Sequence, residues 1–483
     1  MLFSSIPFII LFLPVTLLLY YCCPSIKVKN IILLIMSIIF YAWGEPKFVL
    51  IMLISILVNY GMGLLIGGTS FSIQRRKLFL VLGLCVNLLI LFVFKYLGFT
   101  ENFINSLINL FNLKGFQLTV HQFVLPLGIS FYTFQSMSYL IDVYRTPVLA
   151  QRNPLDLGLF ISFFPQLIAG PIVRYHDINE QIKKRTHSAD LFAQGIERFI
   201  VGLAKKALIA NTLAEVVDGI LSLPPQSVPS IYMLLAIVCG ALQIYYDFSG
   251  YSDMAIGLGR MFGFKIMENF NYPFAAGSLT EFWRRWHISL STWFRDYLFV
   301  PLGGSRKGSV RQLINILIVF TLVGLWHGAS YNFIFFGFIN GIIIIFERRL
   351  KEKQNLSIEN NRKSKAGFII NSIFSHIGVF IIIILFFIYF RLDIHSSLLF
   401  YKNFFNFAGK VATPLDILIL TDTRFYIILF FALAFSFPWW RKWTIPVNKI
   451  TVIVKYAALL ILFVLSFGTL ATDAYNPFIY FRF

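Results

Sequence analysis

Long apolar runs separated by short polar connections make up most of the chain. A helix that crosses a bilayer needs about 20 mostly apolar residues, and fewer where protein surrounds it. Twelve stretches approach that length: 6–23, 30–44, 47–67, 78–98, 123–141, 196–222, 230–248, 312–328, 331–346, 368–390, 425–440 and 451–470. The pattern predicts an all-α polytopic membrane protein with 11 or 12 transmembrane helices.

Two stretches do not fit simple spans. Residues 155–195 contain an apolar run that is interrupted at Pro165 and again at Gly170-Pro171, and residues 249–311 mix polar, aromatic and basic side chains. Irregular backbone lies at membrane depth only where protein or a water-filled cavity surrounds it. We therefore predict re-entrant or interfacial helices that line a cavity on the cytoplasmic side. Ordinary amphipathic helices on the lipid headgroups fit the pattern equally well.

Composition and charge agree with a membrane protein. Hydrophobic residues are 58% and charged residues 13% of the 483 positions, and 41 Lys and Arg against 22 Asp and Glu give a formal charge of +19. Such a charge in a soluble protein would indicate nucleic acid binding. In a membrane protein it more often reflects Lys and Arg retained on the cytoplasmic side.

The position of the basic residues supports that interpretation. They follow the odd-numbered spans: Lys27, Lys29, Arg75, Arg76, Lys77, Arg145, Arg152, Lys183, Lys184, Arg185, Arg348, Arg349, Lys351, Lys353, Arg362, Lys363, Lys365, Arg441 and Lys442. The opposite loops 99–122, 223–229 and 391–424 are nearly neutral. We expect both termini outside a bacterial cytoplasmic membrane, a lipid bilayer environment and no nucleic acid partner.

One histidine ends a long apolar run. His327 follows Gly324-Leu325-Trp326 and precedes Gly328, and ionisable groups within membrane spans are costly and usually functional. The two glycines allow close approach of another backbone or of a ligand. His327 is a candidate catalytic group, although a hydrogen-bonded structural histidine fits the same pattern. The four cysteines lack metal-ligand spacing, so no metal site is predicted.

A second cluster of candidate residues extends from Glu281 to Tyr297. At helical spacing Trp283, Trp286 and Leu290 share one face, while Arg284 and Arg285 lie elsewhere. Basic residues beside aromatic ones suit a phosphate and a stacked base. They suit an anionic headgroup and an aromatic belt equally well.

Several segments in order along the chain resemble the membrane-bound O-acyltransferase family, in its branch of bacterial alginate and cell-wall polysaccharide acetyltransferases. They are 1–7 (MLFSSIP), 40–46 (FYAWGEP), 165–172 (PQLIAGPI), 246–255 (YDFSGYSDMA), 271–273 (NYP), 282–296 and 326–328 (WHG). The resemblance implies one membrane domain over 1–483, built of helices around a tunnel. It places His327 at the narrow point as a catalytic residue and His287 at the second family position.

The end of the chain carries a further resemblance. Phe478, Tyr480 and Phe483 match the pattern Phe-x-Tyr-x-x-Phe that closes a partner peptide of the related teichoic acid D-alanylation system. The resemblance implies that residues 471–483 form an extracytoplasmic tail in which Tyr480 relays an acyl group. An aromatic membrane-interface anchor fits the composition as well.

The expected function is an O-acetyltransferase that passes acetyl groups from cytoplasmic acetyl-CoA across the membrane, with no permanently bound cofactor. Arg284 and Arg285 would bind the donor phosphates. A secreted or membrane-anchored acetyltransferase of the SGNH type would pass the acetyl group to a polysaccharide. The alternatives are a D-alanyl or other acyl transfer from an acyl carrier protein thioester, a transporter or flippase with His327 in a proton path, and an assembly scaffold.

Overall fold

The computed structural model describes residues 1–113, 115, 117–358, 365–406, 415–442, 446 and 448–472, and these residues form helices and connections without a β-strand. The all-α prediction is confirmed for this part of the chain. The predicted tail residues Phe478, Tyr480 and Phe483 lie outside the described residues.

The α-helices follow one another with short connections. They are α1 (Leu13–Tyr21), α2 (Ile26–Gly44), α3 (Val49–Gly67), α4 (Ile73–Leu91), α5 (Leu97–Leu110), α6 (Ile129–Arg145), α7 (Pro154–Ser162), α8 (Phe164–Leu167), α9 (Tyr175–Lys183), α10 (Ala189–Ala204), α11 (Asn211–Leu221), α12 (Ser230–Met261), α13 (Leu279–Arg285), α14 (Ile288–Phe294), α15 (Ser309–His327), α16 (Tyr331–Ile358), α17 (Lys365–Phe386), α18 (Ile394–Phe405), α19 (Leu415–Leu420), α20 (Thr423–Phe435) and α21 (Lys449–Thr472). Wider π-helical turns precede or extend several of them, at Phe8–Phe12, Phe92–Tyr96, Lys205–Ala210 and Arg295–Phe299.

Six helical segments among the described residues are long and apolar enough to cross a membrane: Ile26–Gly44, Val49–Gly67, Ile73–Leu110, Ser230–Met261, Ser309–His327 and Lys449–Thr472. Shorter apolar helices cover Phe8–Tyr21, Phe374–Phe390 and Thr423–Phe435. Each of the twelve predicted spans overlaps a helix. The count of 11 or 12 transmembrane helices stays a prediction, because several helices are shorter than a full span.

Two predicted boundaries are wrong. The loop expected at 99–122 begins with α5, which continues the helix of α4 through a π-helical turn. Helix α12 continues to Met261, so the irregular stretch that was expected from residue 249 begins only after Met261. In α12 the polar residues Ser249, Ser252 and Asp253 are buried, so tertiary packing overrides the local polarity signal there. The stretch 155–195 is broken into α7, α8 and α9, as its Pro and Gly residues suggested.

The chain divides into two compact units. Unit 1 comprises Met1–Arg198 with Ala255–Met267, and unit 2 comprises Phe199–Met254 with Glu268–Phe483. In unit 1, α6 is buried over nearly its whole length and packs against α3 and α4. Leu140 of α6 fills the space that a side chain at Gly83 of α4 would need, since a Cβ atom there would lie 2.7 Å from Leu140 Cδ1.

In unit 2, glycines allow α10 and α12 to cross closely. A Cβ atom at Gly202 would lie 2.6 Å from the carbonyl oxygen of Gly250, and one at Gly250 would lie 2.8 Å from the carbonyl oxygen of Gly202. Small residues permit such backbone contact between membrane helices. The crossing fixes the part of α12 that carries Asp247 and Asp253 against the residues that follow α10.

Replacing Gly250 with Ala should lower the melting temperature of the purified protein in detergent. The new methyl group meets backbone atoms that cannot withdraw, and overpacking of this kind costs about 1–3 kcal/mol. Gly240→Ala is the matched control on the same helix, because no heavy atom of a neighbour lies within 4 Å of its Cβ position. Alanine also favours helix over glycine, so the control should melt no lower than the unchanged protein. Equal melting of the two variants would contradict the close crossing.

Candidate active site

His327 is the last residue of α15, where the helix turns into α16. Gly324 faces α16 one turn earlier, and a Cβ atom on it would lie 3.0 Å from Gly337 Cα. Gly328 lies against the ring of Phe333. The prediction that these glycines allow close approach is therefore confirmed, with the α16 backbone at Gly324 and an aromatic ring at Gly328.

The segment from Glu281 to Tyr297 is not one helix, so the helical spacing used in the sequence prediction was wrong across residues 286 and 287. Helix α13 ends at Arg285, Trp286 is extended, and His287 adopts a left-handed backbone conformation with φ of 46°. The break pairs with a second extended stretch: Asn271 N–H donates to Arg285 O, and Ile288 N–H donates to Asn269 O. Trp283, Trp286 and Leu290 are nevertheless all buried.

A non-glycine residue with positive φ is uncommon and costs about 1–3 kcal/mol, and such residues cluster at functional sites. His287 has this conformation, and so does Tyr272, with φ of 47°. The left-handed turn at His287 directs its side chain towards the end of α15. The break in the helix, which the sequence did not reveal, therefore places the second histidine at the site.

The two histidines lie side by side in the interior of unit 2. His287 is 1% exposed and His327 4% exposed, and their ring centroids are 6.4 Å apart. Each ring nitrogen lies about one bond length from its centroid, so the imidazoles are too far apart for a direct hydrogen bond.

Aromatic rings form the walls around the pair. Phe248 meets the His287 ring edge-on at 4.7 Å between centroids, and Trp326 lies 5.8 Å from it. Phe390 meets the His327 ring at 5.4 Å. Such walls limit the access of water and strengthen electrostatic interactions within the site.

Asn269 fixes the proton on His287. The backbone N–H of Ser289 can only donate, and it lies 3.2 Å from Asn269 Oδ1, so this atom is the carbonyl oxygen. The Nδ2 group of Asn269 donates to Ser252 Oγ at 3.1 Å, which agrees. Because His287 Nδ1 lies 3.2 Å from the same Oδ1, it must carry a hydrogen. The lone pair of the neutral ring is therefore on Nε2.

Two ion pairs hold α12 beside the site. Lys206 Nζ lies 2.7 Å from Asp247 Oδ1 with both side chains buried, and the partly exposed Lys205 has its Nζ 2.7 Å from Asp253 Oδ2. Removing one partner of a buried pair costs about 3–5 kcal/mol, so the Lys206–Asp247 pair strongly constrains the position of α12. The same helix carries Ser252, which orients Asn269.

The predicted donor-binding arginines are placed differently from each other. Arg284 is exposed, whereas Arg285 is ion-paired with Glu281 at 2.7 Å and donates to Asn271 O. Burial alone would raise the pKa of Glu281. Hydrogen bonds from Gly277 N–H and the Arg285 guanidinium outweigh burial and lower that pKa below its ordinary value. Arg285 is thus held by a charged carboxylate, and binding of donor phosphates by either arginine stays a prediction.

The structure brings together His327 and His287 from the sequence prediction, and Tyr480 lies outside the described residues. Sequence reasoning missed three contributors, namely Asn269, Lys206 and the pairing role of Asp247. An acidic residue within the apolar run of α12 was a usable signal for Asp247. Asn269 gave no signal, because a polar residue in a connection 18 positions from His287 is unremarkable in sequence.

Comparison with known proteins identifies the family of the chain. The model of the membrane-bound O-acyltransferase family matches residues 80–391, a range that contains both histidines. The probable alginate O-acetylase AlgI of Pseudomonas putida is 39% identical over 502 aligned positions that cover 100% of both chains. The probable alginate O-acetylase AlgI of Pseudomonas aeruginosa is 45% identical over 350 positions, 72% of this chain and 66% of its own.

A further relative has another printed activity. The peptidoglycan O-acetyltransferase of Helicobacter pylori is 36% identical over 381 positions, which cover 72% of this chain and 70% of its own. The family match, the full-length relative and the apolar helices lead to one conclusion. The chain belongs to the membrane-bound O-acyltransferase family and is a multi-pass membrane enzyme that transfers acyl groups to oxygen.

Proposed function

We propose that the chain is an O-acetyltransferase of a bacterial cytoplasmic membrane that supplies acetyl groups for an extracytoplasmic polysaccharide. The observation that carries the proposal is the buried pair His287 and His327 within a chain whose relatives are named for O-acetylation of alginate and of peptidoglycan. Family membership favours the enzyme over the transporter and scaffold interpretations.

The reaction requires a base and an acid at one place. His327 takes the proton of the acceptor hydroxyl as its oxygen attacks the thioester carbonyl of acetyl-CoA. The tetrahedral intermediate collapses, the carbon–sulfur bond breaks, and the proton passes from His327 to the leaving thiolate. The products are an acetyl ester and free CoA. The neutral imidazole, with one nitrogen lone pair free to take a proton, is the form that acts as the base.

His287 has the second role in this proposal. The single hydrogen of the acceptor hydroxyl goes to His327, so His287 positions the acceptor oxygen by contact from the other side, as a neutral ring whose Nδ1 hydrogen Asn269 holds. A fixed tautomer is the usual contribution of such a neighbour to a catalytic histidine. The proposal thus needs both imidazoles and the amide that orients one of them.

The donor is cytoplasmic and the polysaccharide is outside the cell, so the acetyl group must be carried across the membrane. In the proposal the Tyr480 phenol is the first acceptor and forms an O-acetyl-tyrosine. A secreted or membrane-anchored SGNH-type acetyltransferase then moves the acetyl group to the polysaccharide. Phenolate is a better leaving group than an alkoxide, since the reference pKa of tyrosine is about 10. The exposed Arg284 is the candidate contact for donor phosphates.

Replacing His327 with Ala should abolish release of CoA from radiolabelled acetyl-CoA by the purified protein. General acid–base groups contribute roughly a hundredfold to ten-thousandfold in rate. His395→Ala removes an exposed histidine of α18 and is the matched control, which should retain activity. Full turnover by the His327 variant would exclude the base assignment. If the unchanged protein turned over an acyl carrier protein thioester but not acetyl-CoA, the carrier thioester would be the donor.

Replacing Asn269 with Leu should slow acetyl transfer about tenfold to a hundredfold, because His287 loses the acceptor that fixes its tautomer. Asn269→Asp keeps an acceptor but places a carboxylate beside Nδ1–H, which stabilises the imidazolium. The Asn269→Asp variant should therefore retain more activity than Asn269→Leu. The acid limb of its pH–rate profile should lie at higher pH than that of the unchanged protein. Equal losses in both variants with an unchanged profile would show that Asn269 acts through folding alone.

Replacing Tyr480 with Phe removes one hydroxyl group and should stop acetylation of the polysaccharide in cells. Mass spectrometry of the unchanged protein incubated with acetyl-CoA should show an added acetyl group on the C-terminal peptide. Tyr456→Phe, at an exposed position of α21, is the control. Normal acetylation in the Tyr480 variant would exclude the relay and leave direct transfer to another acceptor.

A further inference from the structure

A cluster of three cationic or potentially cationic residues lies in unit 1. It comprises Lys29 in the first turn of α2, Arg185 and His187 in the connection between α9 and α10, with the ring of Tyr20 among them. Lys29 and Arg185 are each only 8% exposed. Their sequence positions belong to the basic loops predicted on the cytoplasmic side.

Neither Lys29 nor Arg185 has a carboxylate partner among the described residues. Lys29 Nζ lies over aromatic rings, 5.0 Å from the Tyr20 centroid and 5.4 Å from the Tyr21 centroid. The Arg185 guanidinium lies 4.4 Å from the Phe264 centroid. Two buried cations without a counter-charge are costly, and structural ion pairs would normally neutralise them.

The hydrogen bonds of Arg185 go to neutral acceptors. Its Nε donates to Tyr20 Oη at 2.9 Å and to Phe262 O at 3.1 Å, and its Nη1 donates to Asn30 Oδ1 at 2.7 Å. Its buried Nη2 has no hydrogen-bond partner. The nearby acid Asp156 is held instead by the other end of the Asn30 amide, at 3.0 Å. Asn30 thus separates the guanidinium from the carboxylate.

The electrostatics of His187 report the same unbalanced positive charge. His187 Nε2 lies 2.7 Å from Tyr20 Oη, and the ring also faces Tyr21. Burial lowers the pKa of His187, and the charges of Lys29 and Arg185 lower it further, against a smaller opposite effect of the Phe262 carbonyl. An anion beside these groups would relieve the repulsion.

The surroundings of the cluster are apolar and exposed. Leu18, Leu19 and Tyr21 at the end of α1, with Val28 and Ile31 at the start of α2, each expose more than a third of their surface. A free phosphate ion would make no favourable contact with this apolar surface, whereas the acyl chains of a lipid would cover it. Arginine and lysine between membrane helices on the cytoplasmic side suit lipid phosphate groups.

We propose that this cluster binds the phosphate group of an anionic phospholipid in the cytoplasmic leaflet, with the acyl chains along the exposed ends of α1 and α2. Lys29 contacts the phosphate directly, and Arg185 and His187 supply the positive potential behind it. The site ties α1, α2 and the connection before α10 together. The proposal is independent of the transferase reaction.

The test is a titration of the purified full-length chain with short-chain phosphatidylglycerol, followed by native mass spectrometry. Lys29→Gln should weaken the first binding event by about fivefold, in line with the contribution of one lysine to anionic-lipid binding. Lys29→Arg should keep the affinity. Lys27→Gln, two positions away on an exposed side chain, removes the same charge and should change the affinity less than twofold.

A second measurement needs no charge-removing variant. Phosphatidylglycerol should raise the pKa of His187 in a histidine-labelled sample, followed by nuclear magnetic resonance and assigned with His187→Gln, because the bound anion offsets Lys29 and Arg185. Phosphatidylcholine should leave it unchanged. Equal weakening by Lys27→Gln and Lys29→Gln, or an unmoved His187, would overturn the site. An equal effect of inorganic phosphate would overturn the lipid assignment.

Discussion

Backbone that leaves the helix inside a membrane protein must find hydrogen-bond partners within the protein, and the candidate active site depends on how this chain meets that constraint. The chain breaks between α13 and α14, and the residues around the break pair with the extended stretch 269–271. That pairing allows His287 to adopt its left-handed conformation, and it also brings Asn269 beside the imidazole. The same contacts therefore satisfy the backbone hydrogen bonds at the break and orient a candidate catalytic group.

The arrangement requires α12 to remain in place, and contacts of two physical kinds hold it. Glycines at the crossing of α10 and α12 let the backbones approach. The pairs Lys205–Asp253 and Lys206–Asp247 then bind charges across the same interface. The glycine contacts set the distance between the two helices. The ion pairs set the register of α12, because a shift of one residue would separate the paired charges. Ser252 on this helix completes the connection to Asn269.

Buried cations have two different roles in the chain. In unit 2, Lys205 and Lys206 each have an aspartate partner and act as structural links. In unit 1, the buried Lys29 and Arg185 meet aromatic rings and neutral acceptors, and no carboxylate of the described residues pairs with them. Lys205 and Lys206 thus serve helix packing, whereas Lys29 and Arg185 form the site for which we propose an anionic lipid. The net charge of +19 does not distinguish these two roles.

The sequence by itself determined the solvent and the fold class. Its apolar runs need a bilayer, its basic loops indicate one membrane face, and His327 at the end of an apolar run is an ionisable group that only a functional or structural partner explains. These properties are local, since each depends on residues adjacent in the chain. The sequence also located α15 and the start of α16 to within a few residues, because a long apolar run ends at glycines there.

Only the tertiary structure decided which polar residues meet. Asn269 and His287 are 18 positions apart, and Lys206 and Asp247 belong to different helices, so no spacing rule connects them. The left-handed residue His287 was equally hidden, since its conformation is stabilised by backbone bonds to a distant segment and not by its own propensity. The lipid bilayer around the helices determines the hydrophobic pattern of the sequence. The chemistry of the site depends on contacts between residues that are distant in sequence, and these contacts exist only once the chain has folded.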